Sequence, residues 1–125
     1  MDKIAAIQSF FSQFLTAYEE NAIFSQKNRP AFPYITYEGI FDDFGETDTS
    51  MTFSTWYRDS SWVNSVLKTN QISKAIPRPG LVLPCDEGYV LIMKASPFGT
   101  RMGDDSDDLV KRTLFNITVR FYTND

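Results

Sequence analysis

The chain contains no histidine. That removes the commonest general acid–base and the commonest metal ligand at neutral pH. Cysteine is almost missing as well: Cys85 stands alone, so neither an internal disulfide nor a Cys-rich zinc site can form. Positive charge is in short supply. Twelve Lys and Arg against sixteen Asp and Glu leave a net charge of −4, the wrong balance for holding nucleic acid by neutralising its phosphates. Long apolar runs are absent too: the longest, Tyr89 to Met93, has five residues, where a membrane helix needs about 20. Gln8, Ser9, Ser12 and Gln13 interrupt the N-terminal apolar residues and no small-residue cleavage site follows, so no signal peptide is expected. The expectation is synthesis in a reducing cytoplasm and no membrane partner.

What is present is an ordinary globular composition, 42% hydrophobic and 15% aromatic over 125 residues. That fits a single domain covering residues 1–125. Ile4, Ile7, Phe11, Phe14, Leu15, Tyr18 and Ala22 fall on one stripe at helical spacing, which predicts an amphipathic helix over the first 22 residues. Tyr34 to Phe41 and Met51 to Tyr57 read as strands of a hairpin, joined by an acidic, glycine-containing loop. A second helix follows, with Asp59, Ser60 or Ser61 as its cap, Trp62, Val63, Val66, Leu67 and, less regularly, Ile72 and Ile76 at helical spacing, and Pro77 and Pro79 as its stop. Tyr89 to Ala95 is apolar on both faces, as in a central strand. In the last strand Phe115, Ile117, Val119 and Phe121 alternate with polar residues. Between these two, Ser96 to Arg112 reads as a long acidic loop. The expected fold class is α+β in the order α-β-β-α-β-β, an antiparallel or mixed sheet flanked by two helices.

Few constellations carry chemistry. Ser65-Val-Leu-Lys68 matches the Ser-x-x-Lys nucleophile pattern, but its companion elements are missing and both residues fit the exposed side of the second helix. Cys85 precedes Asp86 and Glu87, which disfavour a thiolate. Asn116-Ile-Thr118 matches a glycosylation acceptor inside a strand. There is no phosphate-binding glycine loop. Asp104, Asp105, Asp107 and Asp108 form one acidic cluster, and Asp42, Asp43, Glu46 and Asp48 another. Oxygen-rich clusters suit hard cations, yet the offsets of a helix-loop-helix calcium site are absent. No enzyme, cofactor or resident metal is expected, and a small metal-dependent hydrolase or ligand-binding domain is the alternative from another class.

Charge is unevenly spread. From Ser60 to Gly103 there are five basic residues, Lys68, Lys74, Arg78, Lys94 and Arg101, against two acidic. The acids concentrate on either side of that stretch. Such segregation suits a head-to-tail contact in which one subunit's basic patch, with Lys74, Arg78, Lys94 and Arg101, meets the next subunit's acidic loop. Trp56 lies on the opposite face of its strand from Phe53 and Tyr57, and an exposed tryptophan there suits the same interface.

Four strings carry a resemblance: Asn28-Arg-Pro-Ala-Phe-Pro-Tyr-Ile-Thr-Tyr37, Trp56-Tyr-Arg-Asp-Ser-Ser-Trp62, Leu83-Pro-Cys-Asp-Glu-Gly88 and Asn116-Ile-Thr-Val-Arg-Phe-Tyr-Thr-Asn124. With the element order, they resemble the neck or tail-terminator proteins of long, non-contractile-tailed bacteriophages. The resemblance implies a structural virion protein, made in the bacterial host and located in the tail or neck. It implies a six-membered ring on the finished tail tube that stops polymerisation and joins the head connector, with double-stranded DNA passing unbound through an acidic opening. The implied partners are further copies of the chain, the tail tube protein and the connector or adaptor. Asp104, Asp105, Asp107 and Asp108, or else the Asp42 to Asp48 loop, would line the opening. A head-completion adaptor is the near alternative.

Overall fold

A computed structural model describes residues 1–20, 22, 30–38, 48–103 and 107–123. Among the described residues eight elements follow one another: α1 (Lys3–Phe11), β1 (Ala17–Glu19), β2 (Tyr34–Tyr37), β3 (Thr49–Arg58), α2 (Val63–Ala75), β4 (Leu81–Cys85), β5 (Gly88–Gly103) and β6 (Val110–Thr123). The class is α+β. The strands form one six-stranded sheet in the order β1-β2-β3-β6-β5-β4. β1 and β2 run parallel and every other pair antiparallel, so the sheet is mixed.

Register explains where the core sits. Phe53 pairs with Phe115, Met51 with Ile117 and Thr55 with Thr113, and side chains two apart share a face. Both helices cover that face. Phe11 meets Phe53 with ring centroids 4.2 Å apart and Phe115 at 5.7 Å, while Phe53 and Phe115 stack at 5.2 Å. All three rings are fully buried. The opposite face carries Tyr89 stacked on Tyr122 at 4.8 Å, with Val82, Tyr89, Met102 and Tyr122 all exposed.

The expected first helix is shorter than its apolar stripe. α1 is capped at its start by Asp2, whose Oδ1 accepts from the Ala5 amide at 2.7 Å, and it ends at Phe11. Beyond it, Ala17 is held by side chains: its amide donates to Ser12 Oγ at 3.1 Å and its carbonyl accepts from Gln8 Nε2 at 3.0 Å. Those bonds set residues 17–19 beside β2 as a strand. Phe14 and Leu15 still pack on the core, so the 3.6-residue periodicity survives although the helix does not.

The long loop between the last strands is also overturned. β5 continues through Ser96 to Gly103, and β6 begins at Val110, which leaves only residues 104–109 between them. The break in the pattern at Pro97 and Gly99 is a bulge. Lys94 pairs with Ile117 and Gly99 with Phe115, so four β5 residues lie opposite Asn116 alone. A proline without an N–H fits a bulge and not a regular ladder. Nor is Tyr89 to Ala95 buried on both sides: Val90 and Ile92 are buried, but Tyr89 is 42% exposed. The order therefore gains β1 and β4 over the expected α-β-β-α-β-β.

The hairpin from Tyr34 to Tyr57 is present, with Tyr34 opposite Trp56 and Tyr37 opposite Phe53. At the entry to β4, Gly80 has φ +110, where an added Cβ would come within 2.8 Å of Leu91 Cδ1.

Phe115→Ala should cost about 3–5 kcal/mol, because a fully buried ring is lost from a stack. Leu67→Ala, at an exposed position, should stay within about 0.5 kcal/mol. Urea unfolding of dilute protein measures both, and equal losses would contradict the burial assignment.

Candidate functional site

α2 presents an unusual face to the core. Its entry is arranged by short polar side chains: Ser61 Oγ accepts from the Val63 amide at 3.1 Å, and Asp59 Oδ2 accepts from Asn64 Nδ2 at 2.7 Å. The buried stripe is then Ser65, Thr69, Ile72 and, just past the helix, Ile76. Expectation placed Ser65 outside and Val63 and Leu67 inside. The reverse holds: Ser65 is fully buried, while Val63 is 59% and Leu67 60% exposed.

A layer of hydroxyls causes the inversion. Thr55 and Thr113 project from neighbouring strands, and Ser65 and Thr69 descend from the helix onto them. Ser65 Oγ and Thr113 Oγ1 are 2.6 Å apart, Thr55 Oγ1 and Thr69 Oγ1 3.3 Å, and Thr55 Oγ1 and Ser65 Oγ 3.4 Å. Thr69 also donates to the Ser65 carbonyl at 3.0 Å. Leucine or valine in this layer would leave the Thr113 hydroxyl without its Ser65 partner, at a cost of about 1–3 kcal/mol, and Thr55 with only its long bond to the Thr113 carbonyl at 3.5 Å. Two polar residues therefore go in, and the helix rotates accordingly. The Ser-x-x-Lys serine is thereby absorbed into the core, with Thr113 and Thr55 as its hydroxyl partners.

Rotation fixes what faces solvent. At about 100° per residue, Val63, Leu67, Asn70 and Lys74 lie opposite the buried stripe. Beside them a groove of about 390 Å³ runs between α2 and the bulged strand, lined by Val66, Asn70 and Ser73 on one side and Phe98, Thr100 and Arg101 on the other. Lys94 Nζ donates to the Ser73 carbonyl at 3.1 Å, close to the negative end of the helix dipole. The Arg101 guanidinium sits 5.5 Å above the Trp62 ring, a cation–π arrangement.

The expected interface residues divide. Lys74, Lys94 and Arg101 gather around α2, and Arg78 is exposed just beyond it. None of these four, nor Lys68, belongs to an ion pair among the described residues. Three arginines do pair, Arg58 with Asp107, Arg112 with Glu20 and Arg120 with Asp48, while Lys111 donates to the Asp108 carbonyl and lies over the Trp62 ring. Trp56 does not offer the exposed anchor expected of it. It is half-buried on the uncovered sheet face, with Arg112 4.6 Å above its ring and its Nε1 donating to Thr36 Oγ1 at 2.8 Å.

Of the acidic candidates, Asp42, Asp43, Glu46, Asp104 and Asp105 lie outside the described residues. Asp48 is held by Arg120 at 2.7 Å. Asp107 accepts from the Leu109 amide at 2.9 Å and faces Arg58 at 3.4 Å, and Asp108 is exposed. The outward placement of Val63 and Leu67, and the part of Phe98 and Thr100 in the groove wall, were missed by sequence reasoning. Their signal lay in the paired parity of Thr55 and Thr113, which calls for polar partners from above.

Among the described side-chain carboxyls, two have clear shifts with opposite causes. Hydrogen bonds from Asn64 and from the Ser61 amide hold the Asp59 carboxyl below its usual value. Burial pushes Glu20 up, against the lowering influence of Arg112. A raised carboxyl pKa means that the fold favours the protonated form. Its stabilising contribution is present at low pH and lost as pH rises through the folded value.

Two outcomes follow for solution measurements. Glu20→Gln should raise the urea midpoint at pH 7, with the advantage vanishing below a pH of about 4; a lowered midpoint at pH 7 would contradict this. Ser65→Ala should cost about 1–3 kcal/mol, and adding Thr113→Val should cost less than the sum of the single changes, since both ends of one bond are then gone. Strict additivity in that cycle would refute the hydroxyl layer.

Comparison of the chain with protein-family models, with curated proteins and with solved structures finds no match.

Proposed function

We propose that this protein is a ring-forming structural subunit of a bacteriophage neck, acting as a tail terminator at the head-proximal end of a long non-contractile tail. The observation that carries the reading is the outer surface of α2. There Val63 and Leu67 are more than half exposed beside Lys74, Lys94 and Arg101, which have no ion-pair partner among the described residues. Exposed apolar residues rimmed by unmatched charge mark an interaction surface.

A second apolar area lies on the other side of the sheet, at Val82, Tyr89, Met102 and Tyr122. Two different patches on opposite sides of one domain favour heterologous contacts, and these close into rings when the rotation per subunit permits. A subunit of net charge −4, with its uncompensated bases occupied at subunit contacts, leaves an opening that repels phosphate instead of trapping it. DNA then passes without being held. The resemblance of the four strings supplies the particular ring, a tail terminator meeting the tube on one side and the head connector on the other.

Light scattering across a wide concentration range, with negative-stain images, tests this reading. The expected species has about six times the 14.3 kDa subunit mass, visible as rings, and loses subunits as salt screens the charged rim. Added to polymerising tail tube protein, the chain should cap the tubes and fix their length. A compact dimer stable on dilution, or tubes of unchanged length, would refute the terminator reading.

A further inference from the structure

β5 is longer than its outer neighbour. β4 pairs with it only from Gly88 to Ile92, while β6 continues alongside it to Gly103. Beyond Ile92 the outer edge of β5 has no strand partner among the described residues. From Phe98 to Arg101 that edge forms one wall of the groove along α2.

Main-chain hydrogen bonds alternate in direction along an antiparallel strand, so their phase carries across the sheet. The Ile35 amide donates to the Thr16 carbonyl at 3.0 Å, towards β1, and the Glu38 amide donates to the Thr52 carbonyl at 3.5 Å, towards β3. Tyr34 and Thr36 therefore bond to β3, Thr55 and Thr113 to each other's strand, and Arg112 and Leu114 to β5. Thr100 and Met102 answer them from β5. The N–H and C=O groups of Gly99 and Arg101 then point outward from the sheet, and none of them is bonded among the described residues. Gly99 to Met102 are all exposed.

The two outermost strands are blunted. At β1 the outward groups of Ala17 are taken by Ser12 and Gln8. At β4 the same phase turns Val82 and Pro84 outward, and proline has no N–H to offer. An open edge is a liability, so one kept beside a groove marks a place where a strand is added. We propose that the outer edge of β5, with the groove beside it, takes up an acidic, extended segment of a partner protein as an added strand.

Gly99 and Arg101 supply the main-chain bonds, and side chains supply the selection. Arg101 is level with Thr113 and Lys94 with Ile117, four residues apart along β6, or about 13 Å at the rise of a strand. Between these two bases Phe98 and Val66 line the groove. A strand presents alternate residues to one face. The fitting segment therefore has an acid, an apolar residue two positions on, and a second acid two beyond that. Its apolar side chain lies over Gly99, which has no side chain to obstruct it.

Charge selects the occupant. Neither Arg101 nor Lys94 belongs to an ion pair among the described residues. Two copies joined through this same edge would bring both pairs of bases together, and like charges across strands oppose pairing. A nucleic acid would meet the bases but not the main-chain edge, and the net charge of −4 repels it. Val63 and Leu67, on the outer side of α2, are not used. The proposal goes beyond the ring reading and does not rest on it.

The probe is a heptapeptide blocked at both ends, with glutamate second and sixth, phenylalanine fourth and threonine elsewhere, added to the full chain. The amide NMR signals of Gly99 and Arg101 should shift, and their hydrogen exchange should slow at least about tenfold. Lysine in place of both glutamates, or N-methylation of the peptide backbone, should each weaken binding at least about tenfold. Arg101→Glu should do the same, and Arg101→Lys should recover most of the binding. The peptide variants leave the protein unchanged, so they test the contact whatever Arg101→Glu does to folding.

Equal binding of the acidic and lysine peptides, undiminished binding of the N-methylated one, or no shift at Gly99 and Arg101 with millimolar peptide would each overturn the proposal. An oligothymidylate that binds more tightly than the peptide would assign the strip to nucleic acid instead. Protection of the same two amides that grows with protein concentration, in the absence of peptide, would assign the edge to a second copy. The ring reading is judged by mass and stands apart from these outcomes.

Discussion

Everything at the surface of α2 depends on four hydroxyl groups beneath it. Thr55 and Thr113 sit side by side on adjacent strands, on the face that the helices cover. A buried donor or acceptor left unpaired costs more than an apolar contact gains. Ser65 and Thr69 satisfy the strand hydroxyls, and the helix takes the rotation that brings them down. Ile72 and Ile76 then fall on the same side and close the apolar half of the contact. Val63 and Leu67 are turned out as a consequence, since no rotation of one helix can bury both sets.

That constraint marks the limit of what the sequence made legible. The hairpin of β2 and β3, the last strand and the proline stop of α2 were readable, because alternation and prolines act locally; the cap expected at Asp59, Ser60 or Ser61 is instead Trp62, which makes no side-chain capping bond. The helix face was not. Val63, Val66 and Leu67 outweigh Ser65 and Thr69 in any count of hydrophobicity, and only the pairing of Thr55 with Thr113 reverses the sign. α1 shows a different failure: Phe14 and Leu15 keep helical spacing because they pack around the same core after the helix has ended, while Tyr18 turns to the other sheet face beside Tyr34. Pro97 and Gly99 were read as loop because a bulge and a loop use the same residues, and β5 runs through them. The acidic clusters were legible as charge, but their roles depend on which bases they meet, and sequence does not show that Asp48 and Asp107 are already committed to Arg120 and Arg58.

Charge and exposure converge on one surface. Among the described residues Arg58, Arg112 and Arg120 pair with acids, while Lys74, Arg78, Lys94 and Arg101 belong to no ion pair. A free monomer gains little from such an arrangement. A subunit that meets its neighbour there gains orientation and register from the charges, and affinity from the apolar residues they surround.

Hydrogen exchange followed over a range of protein concentrations tests this account most directly. The amides of residues 63–74 should become more protected as the mass rises from one subunit towards six, with the first half of β6 unchanged. Exchange along α2 that is the same in the dilute monomer and in the assembled ring would contradict it.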